Sequence, residues 1–306
     1  MFLAAAAQNG LKSRTRVGLA FQTSVAITIA GSDVRKLDQA LDACVAGIRA
    51  VELASSVYNP SSDVSRLNRD GKLARPDPHI LTLLRYACRL AKATGGSYDP
   101  TVQPLWDVWA AHHARAERPS ETALRQTLRL VDWAGISISD DLISFDRPGM
   151  AVTLNSINQG YAADVVMDIL TRHEITDAFV DTGEFGATGD HPEGRSWRLG
   201  VPEPRDTSQF AFVIDPFRRF ASTSGDYGTF FSADLRDHHI FDPQTGFSPL
   251  QWSSITVMAP SGLIADGLST ALFVLDPANA RRLLASEPHC RARFFAKDGC
   301  ECAGMA

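Results

Sequence analysis

Apolar positions recur along this chain with two periods, and each change of period marks a new element. The sharpest change lies in residues 254–275. The stretch begins as an alternating strand and turns at Pro260-Ser261-Gly262. It then runs on as a helix with Leu263, Leu268, Ala271, Leu272 and Leu275 available for a core. Upstream, residues 17–29 read as one strand, with Val25, Ile27 and Ile29 alternating against Ala26 and Thr28. Ser32 is placed to cap a long helix carrying Leu37, Leu41, Val45 and Ile48. Residues 55–68 read as a polar loop. Asp77-Pro78 has the form of a helix start, and the helix with Ile80, Leu83, Leu84, Ala87 and Leu90 stops at Thr94-Gly95-Gly96. Pro104 opens a short helix with Trp106 and Trp109, and another helix covers residues 121–130. Residues 135–154 read as short strands separated by turns, and residues 156–172 as a helix. The chain then becomes strand-rich at 178–181, 197–201, 210–214, 220–223, 227–231 and 238–241. A helix started by Asp276-Pro277 and a strand near Phe294-Phe295 close it. Helices and strands mix without regular alternation. That predicts an α+β fold with mixed or antiparallel sheets and packed helices, not a doubly wound parallel sheet.

Composition changes this picture little. The 306 residues are 44% hydrophobic and 21% charged, ordinary for a globular chain with a sizeable core. A net charge of −5 and the lack of any basic run argue against a nucleic-acid partner. No apolar run approaches the roughly 20 residues that span a bilayer, so an integral membrane protein is not expected. Residues 1–10 are short and rich in alanine, as in a trimmed export signal or a cloning scar. Residues 1–16 are therefore set aside as a tail, as are residues 300–306, leaving 17–299 as a single domain. An export remnant would place the protein in the periplasm. Cys44, Cys88, Cys290, Cys300 and Cys302 are too scattered for a disulfide framework. Cys300 and Cys302 read as part of a frayed tail, because a structural zinc site needs four ligands and no second pair is evident.

Four stretches have the residue types of a reactive site. Asp266 and Thr270 stand four apart on the 263–275 helix, hence on one face. A carboxylate beside a hydroxyl offers the oxygen ligands Mg²⁺ takes, or the pair is merely solvated. Residues 153–164 lead from a strand end into a helix start, where free amides favour anions, and Gly160 admits a close approach to the backbone. Residues 221–227 put small hydroxyl residues and a glycine at a strand end, as a phosphate-binding turn or a tight turn. His239 stands three residues before the Asp242-Pro243 turn, as a general base or a structural histidine.

These stretches occur in one order: Tyr58-Asn59-Pro60, Ser65-Arg66-Leu67-Asn68, Gly96-Ser97-Tyr98-Asp99-Pro100-Thr101-Val102, Gln159-Gly160-Tyr161-Ala162-Ala163-Asp164, Thr223-Ser224-Gly225-Asp226-Tyr227, His239-Ile240-Phe241-Asp242-Pro243-Gln244-Thr245-Gly246 and Ala265-Asp266-Gly267-Leu268-Ser269-Thr270-Ala271-Leu272. In that order the chain resembles the FAD:protein FMN transferase (ApbE) family over residues 21–275. The resemblance implies an FAD cleft between two lobes of an α+β fold. It implies Mg²⁺-dependent transfer of FMN from FAD to a Thr or Ser hydroxyl of a target protein, with release of AMP. Asp266 and Thr270 match side-chain ligands of the Mg²⁺ ion, and Ser156 matches the residue giving it a backbone carbonyl. Phe21, Tyr58, Ser97, Tyr98, Asp99, Thr153, Gln159, Ser224, Gly225, Asp226 and Ile240 match FAD-contacting positions or motifs. His239 matches the histidine that activates the acceptor.

The chain also departs from the family pattern. Phe21-Gln22-Thr23 stands where Met-Gly-Thr is usual. Thr153 replaces a common Asp, and Gln159 a Lys or Glu. Asp181-Thr182-Gly183-Glu184-Phe185 replaces Asn-Leu-Gly-Gly-Asp, so Asp181 or Glu184 is the carboxylate that would stand in for the one missing at 153. The sequence around residues 154–160 and 182–184 is similar to an exported branch whose acceptor is the membrane regulator of nitrous oxide reductase maturation. Two other functions stay open at this level: a flavin-binding or flavin-carrying protein with little catalysis, and a Mg²⁺-dependent FAD pyrophosphatase.

Overall fold

The computed structural model describes residues 11–302. Its first element departs from the sequence reading. In place of one strand, β1 (Lys12–Ala20) and β2 (Thr23–Gly31) form an antiparallel hairpin. Phe21 and Gln22 make the turn, with φ of 52° and 62°. A tight two-residue hairpin needs left-handed backbone at both positions, a place usually taken by Asn or Gly. Because β1 starts at Lys12, the folded domain begins before the expected boundary at 17; residues 1–10 lie outside the described residues.

The helix α1 (Val34–Ser55) is capped by Asp33, whose carboxylate accepts from the Arg35 and Lys36 amides. The predicted loop at 55–68 gives way at Asp63 to α2 (Asp63–Asp70), capped by Ser62. It buries only Val64 and Leu67, too short a stripe to register as a period. Three further helices follow: α3 (Pro78–Ala93), α4 (Gln103–His113) and α5 (Glu121–Thr127). The strand β3 (Lys72–Ala74), which the sequence did not announce, pairs with β5 (Leu142–Phe145), and β5 pairs with β4 (Ile136–Ile138). Val152 and Leu154 are buried outside any strand. There the Asn68 side chain substitutes for a ladder: it accepts from the Val152 amide at 2.7 Å and donates to the Val152 carbonyl at 2.8 Å.

The second half holds α6 (Asn158–Arg172), β6 (Asp177–Asp181), β7 (Phe185–Thr188), β8 (Leu199–Pro202), β9 (Phe210–Ile214), β10 (Phe220–Gly225), β11 (Trp252–Ala259), α7 (Gly262–Val274), α8 (Pro277–Ala285) and β12 (Arg291–Ala296). Seven strands make one sheet in the order β1-β2-β6-β7-β10-β11-β12, each pair antiparallel. The α+β expectation holds. Strands expected at 227–231 and 238–241 do not form; only an isolated bridge joins Phe230 to His238. Cys302 donates its amide to the Phe294 carbonyl at 2.8 Å, so the last described residues are tied to β12 rather than frayed.

Helices α1 and α6 cover β2 and β6 through Leu37, Leu41, Val166 and Leu170 against Ile27, Ile29 and Val180. α7 is apolar nearly all round and is buried between the sheet and α3, as such a helix must be. Helices α6 and α7 cross at two glycines. A Cβ on Gly160 would lie 2.1 Å from the Gly262 carbonyl oxygen, and one on Gly262 would lie 2.2 Å from that of Gly160. Asp164, one turn further along α6, caps α7. Its carboxylate accepts from the Gly262 amide at 2.6 Å, the Leu263 amide at 2.9 Å and the Ser261 hydroxyl at 2.7 Å. Such a cap is worth about 1 kcal/mol, and here it also fixes where the N-terminal half of α7 presents Asp266.

Candidate active site

Beside the glycine crossing, Gln159 of α6 and Asp266 and Thr270 of α7 line a cavity of about 350 Å³. Its floor is acidic and hydroxylic. Asp266 is 4% exposed yet lies among polar groups, accepting from the Gly160 amide at 2.9 Å and the Ser222 hydroxyl at 3.3 Å. Burial pushes its carboxyl up to about 7. Thr270 shares a 3.0 Å hydrogen bond with Ser224, whose hydroxyl also meets Ser269 at 2.8 Å. Glu184 enters from the turn between β6 and β7 and accepts from the Thr223 amide at 3.3 Å. Burial, then the facing Asp266 carboxylate, holds the Glu184 carboxyl well above the usual range. Of the two carboxylates offered as stand-ins at 153, Glu184 lines the cavity; Asp181 instead accepts from the Gly183 amide at 2.9 Å.

The walls come from loops. Tyr98 is buried and its hydroxyl meets that of Ser156 at 3.0 Å. Asp99 lines the cavity, but both its oxygens are engaged: one by the Thr101 amide and hydroxyl, the other by the Trp133 amide at 3.0 Å. It shapes the connector between α3 and α4. Tyr58 stands half exposed at the rim, and Ser97, Thr153, Gln159 and Ile240 complete the expected set. Gly225 is needed for a close approach, since a Cβ there would meet the Tyr227 ring at 2.5 Å.

Opposite the floor stands His239. Thr229 carbonyl lies 2.9 Å from its Nδ1 and also accepts its backbone amide at 3.0 Å. A carbonyl can only accept, so Nδ1 carries the proton and Nε2 is left bare. Burial lowers the pKa of this imidazole from its ordinary value. The neighbouring His238 is a structural histidine. One ring nitrogen meets the Pro249 carbonyl at 3.1 Å, the other accepts from the Ile240 amide at 3.3 Å, and burial pushes its pKa down to about 4.

Two expected residues fall elsewhere. Phe21 does not line the cavity; it packs on the core between β2 and α1, and its amide donates to Glu52 at 2.7 Å. Asp226 is 0% exposed and points away from the cavity into an ion pair, as a buried charge must. Arg205 grips it with two 2.8 Å bonds and Lys297 with one of 2.6 Å. Sequence reasoning did not find Gln103, Trp106, Tyr227, Thr229 or Phe241, which also line the cavity. Gln103 and Trp106 sit on α4 and Thr229 on an irregular loop, where no motif marks them; Tyr227 and Phe241 stand inside the ordered motifs, which assign them no role of their own.

Among the described residues no Lys or Arg lines the cavity, while Asp99, Glu184 and Asp266 do. Nor do the described residues hold a group of three or more His, Cys, Asp and Glu arranged for a metal ion. The donors that converge are two carboxylates with Ser and Thr hydroxyls. An all-oxygen set of this kind fits a hard cation such as Mg²⁺.

A ligand-sized cleft where a sheet meets the N-terminus of α6, lined by an acidic floor and by a histidine with one ring nitrogen bare, defines a cofactor-binding enzyme. The chain belongs to the ApbE family, whose profile matches residues 21–294. It is 32% identical over 243 residues to the FAD:protein FMN transferase of Haemophilus influenzae, covering 74% of this chain and 70% of that one. It is 30% identical over 268 residues to the enzyme of the same name from Treponema pallidum, covering 81% and 74%. Among solved structures, the ApbE protein of Thermotoga maritima superposes with a TM-score of 0.84 at 25% identity, over 95% of this chain and 96% of that one. The Pseudomonas stutzeri flavinyl transferase ApbE superposes with a TM-score of 0.81 at 28% identity, over 95% and 93%.

Proposed function

We propose that this protein transfers FMN from FAD to a Thr or Ser hydroxyl of a target protein, releasing AMP, and that it needs Mg²⁺. One observation carries the reading: the His239 imidazole, with its proton fixed on Nδ1 by Thr229, shares one cavity with the Asp266, Glu184 and Thr270 oxygens. The bare Nε2 accepts the proton of the acceptor hydroxyl. The oxygen then forms a bond to the FMN phosphorus, the pyrophosphate P–O bond breaks, and AMP leaves with the bond electrons. A cation held by Asp266, Glu184 and Thr270, with the Ser156 carbonyl, would neutralise the pyrophosphate and polarise phosphorus. Tyr98, Trp106 and Phe241 wall the cavity and exclude competing water.

The test uses the whole chain with FAD, Mg²⁺ and an acceptor domain bearing a target Thr, read by intact mass. The acceptor should gain one FMN, and neither Asp266→Ala nor His239→Ala protein should add it. Intact FAD after long incubation would make this a flavin-binding protein. Steady FMN and AMP release without acceptor would make it a pyrophosphatase. Export, and an acceptor that is a membrane-bound redox regulator, are part of the same proposal. Finding the protein and its flavinylated partner in the periplasmic fraction supports them.

A further inference from the structure

The segment that aims His239 has little secondary structure of its own. Residues 226–238 form no strand, yet the Thr229 carbonyl within them meets both N–H groups of His239. We propose that Arg205 and Lys297, gathered on the buried Asp226 carboxylate, form a positioning cluster that fixes this segment and so orients the His239 ring. The proposal rests on the transfer reading above, and the residues concerned are positioning residues, since none of the three touches the cavity.

The geometry is that of a staple. Asp226 enters the segment directly after β10, with its amide on the Ser253 carbonyl at 3.0 Å. Its carboxylate takes two bonds from Arg205 and one from Lys297. The same Lys297 ammonium reaches the Leu235 carbonyl at 2.5 Å, so one side chain ties together two points of the segment nine residues apart in sequence. Arg205 in turn donates to the Lys297 carbonyl at 3.0 and 2.6 Å, locking the turn after β12 to the β8–β9 loop. On the far side, Asp237 accepts from Arg118 at 2.8 Å, and Phe231 stacks on Trp109 with ring centroids 5.5 Å apart. Between these anchors lies Thr229.

A buried carboxylate held by two partly exposed cations is a poor way to gain stability, because desolvating the carboxylate offsets much of the attraction. Apolar packing of the same volume would serve stability as well. What charges supply, and a greasy patch does not, is fixed direction at both ends of a segment without a ladder. This also accounts for the polar motif at 224–227 in a chain whose Asp226 never meets the cavity.

The test separates orientation from folding. Lys297→Met leaves the Asp226 carboxylate in its paired grip by Arg205 but removes the tether to Leu235. Transfer kcat should fall at least about tenfold while the KM for FAD stays within about twofold, since small misplacement of a base acts on the chemical step. Lys297→Arg should restore most of the rate. Nitrogen NMR of the free protein, which needs no turnover, should show His239 as a single Nδ1–H tautomer in the parent and a mixture in Lys297→Met. An unchanged rate and tautomer would overturn the proposal. So would a parallel loss of FAD affinity and rate, which marks general loosening. If the tautomer shifts as expected but the parent protein itself adds no FMN to any acceptor, the transfer reading fails and the orienting cluster stands.

Discussion

Adjacent histidines 238 and 239 differ in one respect that decides their chemistry. Each has a nitrogen against a carbonyl, but only His238 has its second nitrogen occupied, by the Ile240 amide. His239, with its second nitrogen spare, lines the cavity. His239→Ala is expected to lower transfer by about 10²–10⁴-fold, the usual contribution of a general base, with FAD affinity retained in a flavin fluorescence titration. Because burial lowers its pKa below 6.5, the base stays unprotonated through neutral pH. The His239 limb of the kcat/KM profile should therefore lie below the ordinary imidazole value, separate from a limb near 7 set by Asp266; a limb above 6.5 that persists in saturating Mg²⁺ would contradict the assignment. His238 acts on stability instead. Its folded pKa of about 4 lies below the ordinary 6.5, so the native state holds fewer protons than the unfolded chain between those values. The stabilisation is complete above 6.5 and is lost as the pH falls through about 4. Replacing the ring by His238→Gln should shrink the stability difference between pH 7 and pH 4 by on the order of 3 kcal/mol, measured by urea unfolding at the two values. The sequence showed that a histidine stood before the Asp242-Pro243 turn. Which of the pair was free to react was not legible, because that depends on carbonyls of Thr229 and Pro249 ten and eleven residues away.

The elements that the sequence announced best are those with their own caps and periods. Asp77 before Pro78, Asp276 before Pro277 and Ser261 before Gly262 each cap the helix expected of them. The β1–β2 turn was missed because Phe21 and Gln22 adopt positive φ without a turn residue's composition. The strand expected at 227–231 failed because its alternation is satisfied differently: Phe231 joins the aromatic cluster around Trp109, and its amide bonds the Asp237 carbonyl. The crossing of α6 and α7 was legible only as a glycine that permits close approach; the second glycine that it meets was not. That crossing predicts a sharp mutational response. Gly160→Ala places a methyl 2.1 Å from a backbone oxygen that cannot move without moving α7. A loss of about 1–3 kcal/mol is expected from overpacking of this kind. Because the Gly160 amide also holds Asp266, FAD binding should weaken with it. A variant with the parent's urea midpoint and FAD affinity would show that the helices can part freely.

At the scale of the molecule, the ordered motifs told which segments would converge, and the sheet order explains how. β10 and β11 lie side by side, β7 flanks β10, and α7 runs back over them, so residues 184, 224, 266 and 270 meet although they are far apart in sequence. What no linear reading could supply is the charge balance of the enclosed space. Motifs list the residues that are present, and the decisive feature is a residue type that is missing. Asp99, Glu184 and Asp266 line the cavity, and among the described residues no lysine or arginine does. At a pH above about 7, where Asp266 is ionised, a pyrophosphate brought there meets like charge in a low-dielectric setting, where repulsion is far stronger than in water. The Gly160 amide, one candidate donor at the α6 N-terminus, is already spent on Asp266. FAD affinity itself, and not only turnover, should therefore depend on a divalent cation. Calorimetric titration of FAD in EDTA should give a Kd at least about tenfold weaker than in millimolar Mg²⁺, equivalent to about 1.4 kcal/mol. FMN carries a phosphate but no pyrophosphate, so its binding should respond less. Asp266→Asn removes one negative charge and should narrow the gap between the two conditions from the EDTA side. Equal FAD affinity with and without the cation would mean that the phosphates lie outside this acidic floor, and the arrangement of donor and base derived from it would have to be redrawn.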